Sequence, residues 1–215
     1  MFARVISTTL NKDSSEIQKG RVVLLKIKWF ALLFALSLFL AGCGQQIEDS
    51  VSWEIEDFTF ANQNNEDVSL SDLEGEVWLA DFVFTNCTTV CLPMMANMTA
   101  LQDQLKQEGL DVRIVSFSVD PTIDTPEVLK SYAENYGADL SSWDLLTGYS
   151  PEKIDEFAMA NFQTLARKPE NEDQVMHGTS FYLVDREGVV RKYYDGINPP
   201  ADEIMNDVEI LLAEG

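Results

Sequence analysis

Residues 77–84 read VWLADFVF. Apart from one acid the run is apolar, and β-branched and aromatic side chains dominate it. A strand with one solvated face alternates apolar and polar positions. A strand without that alternation needs cover on both faces. This chain must therefore place residues 77–84 inside a sheet with helices on either side. The downstream sequence supplies them. Met94, Met95, Met98, Leu101 and Leu105 recur at helical spacing and predict a helix over 91–106. Residues 112–119 (VRIVSFSV) predict a second strand. In Asp124-Thr125-Pro126-Glu127 a cap candidate precedes a proline, which opens a helix that Gly137 stops. A short strand over 143–146 follows, and Ser150-Pro151-Glu152 opens a helix through Ala160. Residues 181–185 and 189–193 flank Arg186-Glu187-Gly188, a hairpin signal, and residues 200–213 close the chain as a helix. The order implies an α/β fold: one mixed central sheet with helices on both faces.

The N-terminus differs in kind. Arg21, Lys26 and Lys28 precede an apolar run from Trp29 to Leu40, interrupted only by Ser37. That is the layout of a secretory signal peptide. The run is short of the roughly 20 apolar residues of a stable membrane span. Leu40-Ala41-Gly42-Cys43 resembles a bacterial lipobox, in which the cysteine becomes the lipid-modified first residue of the mature protein. The expected organisation is a signal peptide over 1–42, a tether over 43–52 and a folded domain over 53–215. An uncleaved N-terminal anchor is the alternative. Either way the domain lies on the outer face of the cytoplasmic membrane. Charge agrees with export. The chain has 15 basic and 36 acidic residues; removing the six basic and two acidic residues of positions 1–42 leaves a net charge of −25. Such a surface repels nucleic acid and anionic headgroups.

Three cysteines in an exported protein leave one unmatched. Lipidation of Cys43 removes it. Cys87 and Cys91 remain as a pair in a compartment that permits oxidation. They follow the strand over 77–84, and sites in sheets of this kind form at the carboxyl ends of strands. Their spacing puts both on one side of a helical turn. A helix N-terminus there favours thiolate, which is both nucleophile and metal ligand. By itself the pair could be a redox dithiol, a structural disulfide or half of a metal site. His177, the sole histidine, precedes the strand over 181–185 and is expected in a loop. Two thiolates and one imidazole make a set suited to Cu(I) or Cu(II), whereas a closed zinc site normally takes four protein ligands. The plainer reading of His177 is an ordinary loop residue. Met94, Met95 and Met98 read as core filling rather than thioether donors. Met176 is open between the two. Asp120-Pro121 reads as a turn after a strand, and Asp185 as the acid of the hairpin turn.

Four motifs in order tie these pieces together. They are Phe84-Thr85-Asn86-Cys87 with Cys91; Ser118-Val119-Asp120-Pro121 with Asp124-Thr125-Pro126; Leu146-Thr147-Gly148; and His177-Gly178-Thr179-Ser180 leading into Phe181-Tyr182-Leu183-Val184-Asp185 and Gly188. Over residues 53–213 the chain resembles the SCO/SenC family of copper-binding assembly proteins. The resemblance implies a thioredoxin-like fold, with Cys87, Cys91 and His177 as copper ligands and Asp120 near the site. It also implies a partner, the cytochrome c oxidase subunit that carries the dinuclear CuA centre. One departure is visible: Leu92 stands where relatives have proline, and Pro93 follows. Proline within a first helical turn is tolerated, so a small shift of the helix start is expected. The rival class is a thiol–disulfide oxidoreductase using Cys87 and Cys91. Thioredoxin-like oxidoreductases resemble C-x-x-C rather than C-x-x-x-C, and they carry a proline before the strand equivalent to 181–185, where this chain has none.

Overall fold

The computed structural model describes residues 46–86, 91–169 and 174–214, with Cys91 in its backbone only. They belong to a compact unit spanning Gln46–Gly215. In chain order its elements are β1 (Trp53–Glu54), β2 (Thr59–Ala61), β3 (Asp67–Ser69), β4 (Trp78–Val83), α1 (Cys91–Gln107), β5 (Arg113–Ser118), α2 (Pro126–Asn135) and β6 (Trp143–Leu146). Then come α3 (Pro151–Phe162), β7 (Ala166–Arg167), β8 (Met176–His177), β9 (Ser180–Val184), β10 (Val189–Asp195) and α4 (Ala201–Ala213). Six strands form one sheet in the order β1-β10-β9-β4-β5-β6. β4, β5 and β6 are parallel; β9 joins β4 antiparallel and leads the chain back through the β9–β10 hairpin. This is the mixed α/β, thioredoxin-like arrangement expected from the sequence.

β4 is buried at every position. Alternation along the strand sends its side chains to opposite faces. Trp78, Ala80 and Phe82 face a core shared with Phe117 of β5, Phe58, Phe60 of β2, and Ile154, Phe157 and Phe162 of α3. Leu79 faces the other core, under Met94, Met95, Met98 and Leu101 of α1, Leu129 of α2, and Ile204 and Val208 of α4. The methionines at helical spacing are core, as the periodicity implies.

Local chemistry sets the helix starts. Thr125 accepts a hydrogen bond from the Val128 amide and Ser150 from the Lys153 amide, each ahead of a proline in the first turn. α3 runs two residues past the expected end. Phe162 is drawn into the core against Phe82 and Tyr182, at ring separations of 5.3 and 5.0 Å, and Gln163 then ends the helix in the left-handed region. Asp185 holds the hairpin turn by accepting from the Glu187 and Val189 amides. β1, the β2–β3 hairpin and the β7–β8 ribbon have two or three residues per strand, too few for any period to register. Within the stretch read as a tether, Ile47 is buried and the Val51 amide donates to the Arg191 carbonyl at 2.7 Å.

The acid inside β4 breaks its apolar run. Asp81 falls on the Leu79 side and is 0% exposed. Its Oδ1 accepts from the Ser116 hydroxyl, which in turn accepts from Trp143 Nε1 at 2.9 Å. Its Oδ2 is buried with no partner among the described residues. Burial pushes the Asp81 carboxyl up to about 7, against the lowering effect of the Ser116 bond. Between the unfolded value near 3.8 and the folded value, the native state holds the extra proton. Stability therefore falls as pH rises through that window and is level above it. A shift of this size corresponds to about 4 kcal/mol. The unfolding free energy of wild type minus that of Asp81→Asn should fall by up to about that amount between pH 4 and pH 8, measured by denaturant titration at each pH. A difference that does not change with pH would contradict a neutral Asp81.

Candidate metal centre

The candidate centre lies beyond the carboxyl ends of β4 and β5. Of the three proposed ligands, Cys87 lies outside the described residues; Cys91 is the first residue of α1, but its side chain is not among those described. Cys43 also lies outside. What is described is the frame around the cysteine loop and the whole of His177.

His177 sits in β8 rather than in the loop expected from the sequence; it pairs with Ala166 of β7. Its Nδ1 lies 2.7 Å from the Gly178 carbonyl oxygen. A carbonyl can only accept, so Nδ1 carries the proton and the lone pair falls on Nε2. Burial pushes the imidazole pKa down, opposed by the bond to Gly178. The ring is thus neutral at pH 7, the form that ligates a metal. The Phe84 ring lies perpendicular to it, with centroids 5.9 Å apart and planes at 89°. Phe84 lies three residues before Cys87, so the imidazole packs directly against the stem of the cysteine loop. Phe84 on that stem and His177, 93 residues apart in sequence, are neighbours in the fold.

Gly178 is required by close packing. A Cβ there would come within 2.0 Å of Thr164 Oγ1 and 3.2 Å of Thr164 Cβ. Its amide donates to the Leu165 carbonyl at 3.3 Å. Beside it opens a cleft lined by Phe84, Leu165, Val175, Met176 and His177. Met176 is 52% exposed; as the adjacent strand residue it projects to the face opposite His177.

The stem of the cysteine loop is also held at Thr85. Asp124 is 0% exposed. Its Oδ1 accepts from the Thr85 amide at 3.2 Å and the Thr85 hydroxyl at 2.6 Å, and its Oδ2 from the Ser118 hydroxyl at 2.6 Å. Burial raises its pKa, and those donors oppose the rise. Thr85 stands two residues before Cys87. Asp120, read as a turn residue that the resemblance places near the site, does lie in the turn after β5. It is also buried, and its Oδ2 is taken by Lys168 Nζ at 2.5 Å. Leu92 and Pro93 fall in the first turn of α1, and the helix forms through them. Among the described residues no group of three His, Cys, Asp or Glu side chains could hold a metal; that set omits both cysteines of the pair. Sequence reasoning missed Thr164 and Lys168 as parts of this frame and noted Phe84 only as a motif residue, since none belongs to a residue type that signals a metal site.

No helix among the described residues is long and apolar enough to cross a membrane. The SCO1/SenC family model matches residues 48–213. The chain is 56% identical over 174 residues to an SCO1 protein homolog of Bacillus subtilis (strain 168), covering 80% of this chain and 90% of the relative. It is similar to the crystal structure of an SCO1/SenC family lipoprotein from Bacillus anthracis (51% identity, 78% of this chain and 99% of that one, TM-score 0.75). The structure of BsSco, described as having a disulfide switch and as a member of the Sco family of cytochrome c oxidase assembly proteins, matches at 55% identity (78% and 98%, TM-score 0.73). Arabidopsis thaliana ScoI, solved with copper bound, matches at 26% identity (74% and 98%, TM-score 0.63).

Gly178→Ala should destabilise the fold by about 1–3 kcal/mol through overpacking against Thr164. The cost should shrink in a Thr164→Ala background, where the nearest atom is gone. A double-mutant cycle by denaturant unfolding measures this; equal costs in the two backgrounds would exclude the contact as the cause.

Proposed function

The chain belongs to the SCO1/SenC family, and from that premise we propose that it is a copper-binding assembly factor for cytochrome c oxidase. In this reading the reduced thiols of Cys87 and Cys91 and the imidazole of His177 hold one copper ion, as Cu(I) or Cu(II). The acceptor is the oxidase subunit carrying the CuA centre. The observation that carries the reading is the state of His177: proton held on Nδ1 by the Gly178 carbonyl, ring neutral, and packed against Phe84 on the stem of the cysteine loop.

Copper is cargo here. Three protein ligands leave a position through which an acceptor ligand can enter, so transfer can proceed by ligand exchange. Oxidation of the two thiols by exchange with a partner disulfide, which takes up the two protons and two electrons and leaves as a dithiol, would withdraw two ligands and empty the site. The disulfide switch described for BsSco supports that gating. Residues 1–42 would act as a lipoprotein signal and Cys43 as the lipid attachment point, tethering the domain to the outer face of the cytoplasmic membrane. The B. anthracis lipoprotein supports this assignment. A net charge of −25 on the exported part keeps nucleic acid out of the list of partners.

Titration of the reduced domain with copper should show one ion per chain. Cys87→Ser and Cys91→Ser should abolish tight binding. His177→Ala should weaken Cu(II) binding by at least tenfold and change its charge-transfer spectrum. Unchanged Cu(II) affinity and spectrum in His177→Ala would reject the three-ligand site. In a deletion strain, rescue of oxidase activity by added copper supports delivery; failure of copper but rescue by an exogenous reductant would favour thiol reduction of the acceptor.

A further inference from the structure

The turn after β5 reaches both halves of the candidate site. Asp124 grips Thr85, ahead of Cys87. Asp120, four residues earlier, extends to the other half, where its carboxylate meets Lys168 Nζ at 2.5 Å. Lys168 directly follows β7, whose Ala166 is paired with His177. The backbone links the two acids, since the Asp124 amide donates to the Asp120 carbonyl at 3.0 Å. One short turn therefore contacts the cysteine stem with one carboxylate and the histidine ribbon with the other.

Ala166 of β7 and Val175, just before β8, seat the ribbon in the core, and the ion pair gives it a second hold. With two residues per strand the ribbon has little stability of its own. The ion pair is not an ordinary surface contact: Asp120 is 2% exposed and the Lys168 side chain 27%. A charge-assisted bond to a buried carboxylate is stronger and better defined in geometry than an exposed pair, and loss of the cation would leave a buried charge uncompensated. Thr122 donates to the other Asp120 oxygen at 2.7 Å and so orients the carboxylate toward the ribbon.

We propose that Lys168 is a positioning residue for copper, latching the β7–β8 ribbon to Asp120 and so setting where His177 stands relative to the cysteine pair. The proposal rests on the copper reading above. Its test uses the reduced chain from Gln46, as wild type, Lys168→Met, Lys168→Arg, His177→Ala and the His177→Ala/Lys168→Met double variant. Two quantities are read: the imidazole NMR signals of His177 without metal, and the Cu(II) spectrum and dissociation rate with it. Lys168→Met should move the metal-free His177 signals and raise copper dissociation about tenfold, the scale of losses seen when a group supporting a ligand is removed. Lys168→Arg should recover most of both. In the His177→Ala background Lys168→Met should add nothing. If Lys168→Met does not fold, the Lys168→Met/Asp120→Asn double variant, which removes both charges, replaces it. Wild-type His177 signals and dissociation in a folded Lys168→Met protein would overturn the proposal, as would an equal loss of copper in the His177→Ala background. Moved His177 signals in a chain whose wild type binds no copper would overturn the copper reading instead and leave the latch on His177 standing.

Discussion

The structure depends on the burial of β4 from both sides. Every residue of Trp78–Val83 is out of water, so the strand is stable only when α3 covers one face and α1, α2 and α4 the other. The hydrophobic term is roughly proportional to the apolar area removed from water, and a strand with two buried faces draws on it twice. The chain leaves this buried strand toward the cysteine pair, so the proposed ligands begin a few residues from a strand buried on both faces.

Three buried carboxylates mark the path from that strand to the site, and each meets the cost of burial differently. Asp81 has its pKa raised to about 7 by burial and takes one hydroxyl donor. Asp124 is surrounded by hydroxyl and amide donors and ties Thr85 to Ser118. Asp120 takes a lysine. A hydrogen bond contributes modestly to stability, but an unmade one inside a protein is expensive. Such groups therefore specify geometry sharply: the partners must be where they are, or the acid cannot be buried. The segments around the centre acquire their positions from these polar contacts together with the apolar packing of Phe84, Ala166 and Val175. Beside His177 the cleft stays open.

Much of the fold was legible because its signals are local. The unalternating run of β4, the helical spacing of the α1 methionines and the proline-led starts of α2 and α3 each report on a few consecutive residues. The end of α3 was misread because Phe162 is held by Phe82 and Tyr182, which come from elsewhere in the chain. β8 was read as loop because a two-residue strand exists only through its partner. At the site, the ligand types were visible as rare residues, two matched cysteines and the sole histidine. Lys168 was not, for it sits in a polar, charged stretch (RKPENED) where nothing separates it from an ordinary surface lysine.

Sequence alone determined the class of fold, the order of the major elements, the net charge of residues 43–215 and the candidate ligands, since each follows from composition or from spacing along a few turns. The tertiary structure decided the tautomer of His177, the packing of its ring on Phe84, the requirement for glycine at Gly178 and the division of labour between Asp120 and Asp124. Apart from the bond between the neighbours His177 and Gly178, these contacts join segments 14 to 93 residues apart. No local pattern encodes them, because their energies exist only once the sheet has brought the ends of β4 and β5 beside the ribbon that carries the histidine.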